Sequence, residues 1–291
     1  METKLSLNHK TVVIGPHQPF VVIGERINPT RRKKLAQALA QGDFRLVQEE
    51  AQMQVQAGAH VLDVNTGVAG ADEAALLRGA VTAILEVVSV PLCLDSANPS
   101  ALEAALAVYP GKALINSTTA EEKMMETVFP LVKQHGAAVI GVITDERGVP
   151  ATPQDRLRVA ARLLERAARY GIPAEDVIID PLALTVSADH NAARITLDSI
   201  SLIVKELGVN INLGASNVSF GLPDRKIINV AYLALAISRG LSTAITDPTV
   251  PEIQTTLLAC DLLMGRDPYS GRWIKAFRQR EKAALQARQE Q

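Results

Sequence analysis

The sequence predicts a (β/α)8 TIM barrel occupying residues 1–291 as one domain. Length is the first reason: 291 residues exceed what one small core needs and match the roughly 250 of such barrels plus extensions. The second is repetition, because eight short β-branched runs alternate with segments of helical spacing. The third is what stands at the ends of those runs, where carboxylates and amides replace the apolar residues.

The run TVVIGPHQPF (11–20) precedes the repeating pattern and ends in a Pro-bearing turn. Residues 1–20 therefore read as an N-terminal β-hairpin extension covering one end of the barrel. The strands follow as VVIGERIN (21–28), HVLDVN (60–65), PLCLDS (91–96), ALINST (113–118), AAVIGVIT (137–144), VIIDP (177–181), INLGASN (211–217) and LSTAITDP (241–248). Between them, segments such as DFRLVQEEAQMQVQAGA (43–59), ALEAALAVY (101–109) and QDRLRVAARLLERAARYG (154–171) repeat apolar residues at three and four. Apolar strands alternating with helices imply a parallel sheet covered by helices, and eight units suggest closure. An open doubly wound sheet is the rival, and the lack of a GxGxxG opening a helix speaks against it. Residues 271–291 start as an amphipathic C-terminal helix through Trp273, Ile274 and Phe277, then turn almost wholly polar, so the last turns are expected to fray.

Composition narrows the function. Hydrophobic residues make up 47% and charged ones 21%, enough apolar surface for a sizeable core. A net charge of -1 gives no global field for nucleic acid or an anionic membrane, and 3% aromatics argue against base-stacking platforms. The two cysteines, Cys93 and Cys260, stand far apart without a Cys/His cluster, so neither a disulfide framework nor a metal site is expected. No apolar stretch approaches the roughly 18 residues of a membrane span. A cytoplasmic enzyme is the expectation.

In a barrel of this kind the C-terminal strand ends meet at one face, where active sites lie. Here they supply Glu25 and Asn28, Asp63 and Asn65, Asp95 and Ser96, Asn116, Asp180, Asn217 and Asp247. Carboxylates and amides without a nucleophile–base pair suit a neutral ligand rich in N–H donors and ring nitrogens, such as a pterin, a purine or a guanidino compound. Any one of these residues is also explained as a helix cap or turn residue, Asp63, Asn65 and Asp247 in particular. The run Arg31-Arg32-Lys33-Lys34 reads as a solvated first helical turn, or else as a contact for an acidic ligand tail. His190 reads as a loop residue.

GERIN (24–28), LDVNTG (62–67), PLCLDSANPSALEAAL (91–106), ALINSTTAE (113–121), HGAAVIGV (135–142), VIIDPL (177–182) and LGASNVSFGLPDR (213–225) together resemble the pterin-binding methyltransferases. These move a methyl group between methyltetrahydrofolate and a corrinoid protein. The resemblance runs from about residue 20 to about residue 270 and extends to the folate domain of cobalamin-dependent methionine synthase and, more distantly, to dihydropteroate synthase. It implies pterin contacts from Asp95, Asn116 and Asp180, with Asp180 taking the N3–H and 2-amino edge. It implies Asn217 at pterin N5, Arg225 near the ring, and Ser96 and Ser219 in support. Pro29-Thr30 and the basic run depart from the family's usual continuation after GERIN, in the region that would meet the folate tail.

The chemistry the resemblance implies needs N5 to gain positive character, because a tertiary amine is a poor leaving group. Asn217 would donate toward N5 within a water and carboxylate network that could include Asp95. No DxHxxG cobalamin motif occurs, so the corrinoid would come from a partner protein. A homodimer is implied as well. Two alternatives stand beside this reading: a dihydropteroate synthase-type condensation, faintly echoed by Ser238-Arg239, and a folate-binding or corrinoid-docking subunit without turnover.

Overall fold

The computed structural model describes residues 1–289. Its first half runs β1 (Thr3–Leu7), β2 (Lys10–Ile14), β3 (Val21–Ile27), α1 (Lys33–Ala40), α2 (Arg45–Gln56), β4 (Val61–Asn65), α3 (Glu73–Val87), β5 (Leu92–Asp95), α4 (Pro99–Leu106), β6 (Gly111–Lys112), β7 (Leu114–Thr119) and α5 (Glu122–His135). The second continues with β8 (Ala138–Val142), α6 (Pro153–Arg169), β9 (Val177–Asp180), α7 (Ala192–Leu207), α8 (Arg225–Ser238), β10 (Thr243–Thr246), α9 (Pro251–Leu263) and α10 (Gly271–Gln289).

Seven strands form one parallel sheet in the order β10-β3-β4-β5-β7-β8-β9. The stretch 210–214 closes the gap between β9 and β10. Ile179 N donates to Asn210 O and Asn212 N to Ile179 O on one side, and Ile245 N donates to Leu213 O on the other. The fold is thus a TIM-like barrel, but the expected seventh strand, 211–217, is reduced to single bridges at Ile211 and Gly214. Residues 215–219 wind into a 3-10 turn. The backbone leaves the ladder where the site begins: Asn212 turns its side chain onto Asp180, and a Cβ on Gly214 would lie only 3.0 Å from Asn217 Nδ2.

Both faces of the sheet are buried, as the continuous apolar runs require. Leu62, Val64, Leu92 and Leu94 point outward to the helices, while Val61, Cys93, Leu114, Ile140 and Ile178 fill the barrel interior. The β1–β2 hairpin adds Leu5 and Ile14 to that interior cluster. Asn210 Nδ2 fastens it by donating to Ile14 O and Thr3 Oγ1, each at 2.9 Å. The hairpin therefore plugs the N-terminal end of the barrel and leaves the other end open. It gains a third strand, β6, where Gly111 is required: a Cβ there would sit 2.2 Å from the Ser6 carbonyl oxygen.

The helices start and stop where the sequence signals. Asp72, Asn98 and Thr152 cap α3, α4 and α6 through side-chain oxygens, and α5 and α7 end at left-handed Gly136 and Gly208. Two details differ from expectation. Arg31 and Arg32 lie ahead of α1 rather than in its first turn. The C-terminal helix forms against α9, yet Ile274 and Phe277 remain exposed. The last turns, expected to fray, are helical as far as Gln289, and residues 290–291 lie outside the described residues. No helix of the described residues is long and apolar enough to cross a membrane.

Candidate functional site

Parallel strands deliver their C-terminal ends to one rim, and the rim encloses a cavity of about 560 Å³. Six of the nine expected site residues line it: Glu25 on β3 with Asn28 just beyond, Asp95 on β5, Asn116 on β7, Asp180 on β9, and Asn217 in the 215–219 turn. Asp63 on β4 joins them. Ser96, Ser219 and Arg225 stand behind the wall. Ser96 Oγ donates to Glu73 Oε1 at 2.6 Å and accepts from Asn98 N. Arg225 donates to Ser219 Oγ at 3.0 Å and to the Ser216 carbonyl at 2.6 Å, bracing the turn that carries Asn217.

The acidic groups are held by amides. Asp180 Oδ1 accepts from Leu182 N and Oδ2 from Asn212 Nδ2, both at 2.8 Å. These bonds fix the carboxylate and leave lone pairs toward the cavity. Asn116 Nδ2 donates to Asp63 Oδ1 and Asn65 Nδ2 to Asp95 Oδ2, each at 3.0 Å. On the opposite wall Ser216 Oγ donates to Glu25 Oε1 at 2.9 Å.

The positions read equally well as caps separate here. Asn65 and Asp247 do both jobs: Asn65 Oδ1 takes Gly67 N while its amide holds Asp95, and Asp247 Oδ1 takes Thr249 N while Oδ2 receives Arg26. Asp63 is buried and caps nothing.

Burial dominates the electrostatics. It pushes the Glu25 carboxyl up to about 7, opposed by the Ser216 hydroxyl, and the Asp180 carboxyl up to about 6. Asp63 is raised by burial and then by the neighbouring Asp95 charge, and Asp95 is raised by burial. A ligand edge of N–H groups would supply the solvation these carboxyls lack.

Sequence reasoning missed several contributors. Arg26 lines the cavity, donating to Glu50 at 2.8 Å and to Asp247 at 2.9 Å. Arg32 also lines it and bonds Glu50 and the Arg26 carbonyl. Ser216, Asn212, Leu182, Ala183 and Ile245 belong to the site or its support as well. Arg26 in GERIN and Ser216 in LGASNVSFGLPDR each stand directly beside an expected site residue, Glu25 and Asn217, and that adjacency was the available signal. His190 is exposed and bonds Asn191 away from the cavity. Ser238 and Arg239 fall at the far end of α8, where Arg239 meets Asp198.

The chain is 28% identical over 277 residues to a methylcorrinoid:tetrahydrofolate methyltransferase of Eubacterium limosum, covering 92% of this chain and 100% of that protein. It is 29% identical over 287 residues to a methionine synthase of Mycobacterium tuberculosis, covering 91% of this chain but only 24% of that protein. Among solved structures, a dihydropteroate synthase from Xanthomonas albilineans in complex with 7,8-dihydropteroate aligns with a TM-score of 0.65 at 16% identity, over 89% of this chain and 98% of that one. That likeness concerns the fold. The pterin binding enzyme family matches residues 24–247, from within β3 through β10 and including the whole cavity wall, and the chain belongs to that family.

Proposed function

We propose that this protein transfers a methyl group between N5 of methyltetrahydrofolate and the cobalt of a corrinoid carried by a partner protein. The observation that carries the reading is the convergence of Asp95, Asn116, Asp180 and Asn217 on one cavity. Likeness to the Eubacterium limosum enzyme along that protein's full length supports it further. A carboxylate and an amide on one wall match the donor and acceptor edge of a pterin, and Asp180 is the bidentate acceptor for N3–H and the 2-amino group. Asn217 approaches from the opposite loop as the donor to N5.

When the methyl group leaves N5, the nitrogen keeps the bonding pair and takes up a proton, while the reduced corrinoid supplies the pair that forms the new bond to carbon. A donor at N5 stabilises that transition state. Asn217 cannot surrender a proton outright. Glu25, tied to Asn217's neighbour Ser216 and facing the same cavity, is the acid that can, through water. In the reverse direction the same carboxylate receives the proton. A cytoplasmic homodimer fits this reading: the exposed apolar side chains of Leu263, Tyr269, Ile274 and Phe277 lie on the end of α9, the 268–270 turn and the start of α10, away from the rim that must admit the corrinoid domain.

The test is incubation of tetrahydrofolate with methylcobalamin and the protein, followed by chromatography for methyltetrahydrofolate. Protein-dependent product supports the reading. Bound tetrahydrofolate with no product favours a binding subunit, and no tetrahydrofolate binding contradicts the reading altogether.

A further inference from the structure

We propose that the rim built by residues 28–34 and 216–222 is a subsite for the p-aminobenzoyl-glutamate tail of the folate and favours tails of several glutamates. The proposal rests on the folate reading above. Charge is distributed in a way that the pterin site alone does not require. Inside the cavity every cation is paired: Arg26 with Glu50 and Asp247, and Arg32 with Glu50. At the lip, Arg31, Lys33 and Lys34 are exposed and form no ion pair among the described residues.

An apolar ledge lies between the two zones. The Arg31 guanidinium stands 4.5 Å from the centroid of the Phe220 ring, joining the two loops across the rim. Arg31 holds a left-handed conformation, φ 61, that a residue without a functional or structural demand seldom adopts. Phe220 is 42% exposed and Leu184 39%. Their loops are joined by Thr185 Oγ1 and Ser187 Oγ, which donate to the Phe220 carbonyl at 2.7 and 2.8 Å. Phe220 and Leu184 thus offer apolar surface at the edge of an otherwise polar cavity.

From the cavity outward the order is therefore carboxylates and amides, an aromatic ledge, then unpaired cations. A folate has the matching order: a neutral ring with N–H groups, a flat benzoyl spacer, then carboxylates. The acidic interior repels the glutamates, and the cationic lip collects them.

The experiment is equilibrium binding of a tail-less tetrahydropterin, tetrahydrofolate monoglutamate and tetrahydrofolate triglutamate, without any corrinoid protein, at low and high salt. The proteins compared are the wild type, a Lys33→Ala/Lys34→Ala double variant and Arg31→Gln. Wild type is expected to bind triglutamate roughly 3- to 30-fold tighter than monoglutamate at low salt, with the gap closing at high salt. The double variant should lose most of that gap while binding the tail-less pterin as the wild type does. Arg31→Gln should weaken both folates and spare the tail-less pterin. Equal wild-type affinity for the two tails overturns the proposal, as does a double variant that keeps the preference. Failure of the wild type to bind even the tail-less pterin overturns the folate reading and the subsite with it.

Discussion

Asn116 on β7 reaches past β5 to donate to the carboxylate of Asp63 on β4, at 3.0 Å. Asn65, two residues along β4, performs the converse service for Asp95 on β5. Three strand ends are thus cross-tied by amide–carboxylate pairs, and the orientation of each amide is set before any ligand arrives. Replacing Asp63 by Ala leaves Asn116 free to rotate. Folate affinity should then fall by roughly tenfold, the cost of one hydrogen bond to a charged or acidic partner. An unchanged dissociation constant would show that Asn116 needs no such support.

Asp180→Ala should abolish folate binding, because it removes a carboxylate that the backbone of Leu182 and the Asn212 amide hold in place at the cavity wall. The wild type should show the same dependence through pH. With Asp180 raised to about 6, its ionised form dominates above that value and is lost below it. Binding titrations from pH 5 to 8 should therefore show affinity falling as pH drops through about 6. Full affinity at pH 5 would contradict the bidentate role.

Asn217→Ala should lower the methyl-transfer rate by roughly 10²-fold or more while weakening folate binding much less, the pattern of a donor used in the transition state. Equal losses in rate and binding would assign it to ground-state binding.

Glu25 links stability to pH with a definite sign. Its carboxyl is raised from 4.5 to about 7 by burial. The stability tied to its neutral form is complete below about 4.5 and is lost as pH rises through about 7. Glu25→Gln keeps an acceptor for Ser216 without the charge, so it should stabilise the protein at pH 8, by on the order of 2–3 kcal/mol, and have little effect at pH 5. Thermal melts at the two pH values decide this. Demethylation of methyltetrahydrofolate by the wild type is expected to decline above about pH 7, as the Glu25 acid is lost, and Glu25→Gln to be slow at every pH without that decline.

Gly24→Ala tests the wall beneath the site. A Cβ there would lie 2.4 Å from Gln54 Oε1 and 3.3 Å from Leu62 Cδ2. Gln54 Oε1 accepts from Arg26 N, so the clash disturbs the strand tip as well as the core. A loss of about 1–3 kcal/mol is expected by chemical denaturation. A neutral result would mean that Gln54 has room to move.

The strand ends were legible because β-strand alternation and parallel topology make them converge whatever their neighbours are. That is why Glu25, Asp95, Asn116, Asp180 and Asn217 could be chosen together. What could not be read was who holds whom. Asp63 and Asp247 look alike in sequence, each an acid at a strand end, and only burial separates the interior acid from the turn former. Arg26 joins Glu50 and Asp247 across 24 and 221 residues of chain, and no local pattern announces such a pairing. Ser96, Ser219 and Arg225 adjoin the site in sequence, but their side chains are engaged by the loops that carry it. The seventh strand was over-read: INLGASN has strand-like spacing, but its backbone pairs only through 210–214 and then winds into the 3-10 turn that carries Asn217.

The most direct measurement is an anaerobic stopped-flow mix of the protein, methyltetrahydrofolate and cob(I)alamin, following the cobalt(I) absorbance. Protein-dependent loss of that absorbance with formation of methylcobalamin, slowed by Asn217→Ala, is the predicted result. A protein that binds methyltetrahydrofolate and leaves the cobalt(I) signal at its uncatalysed rate would contradict the account.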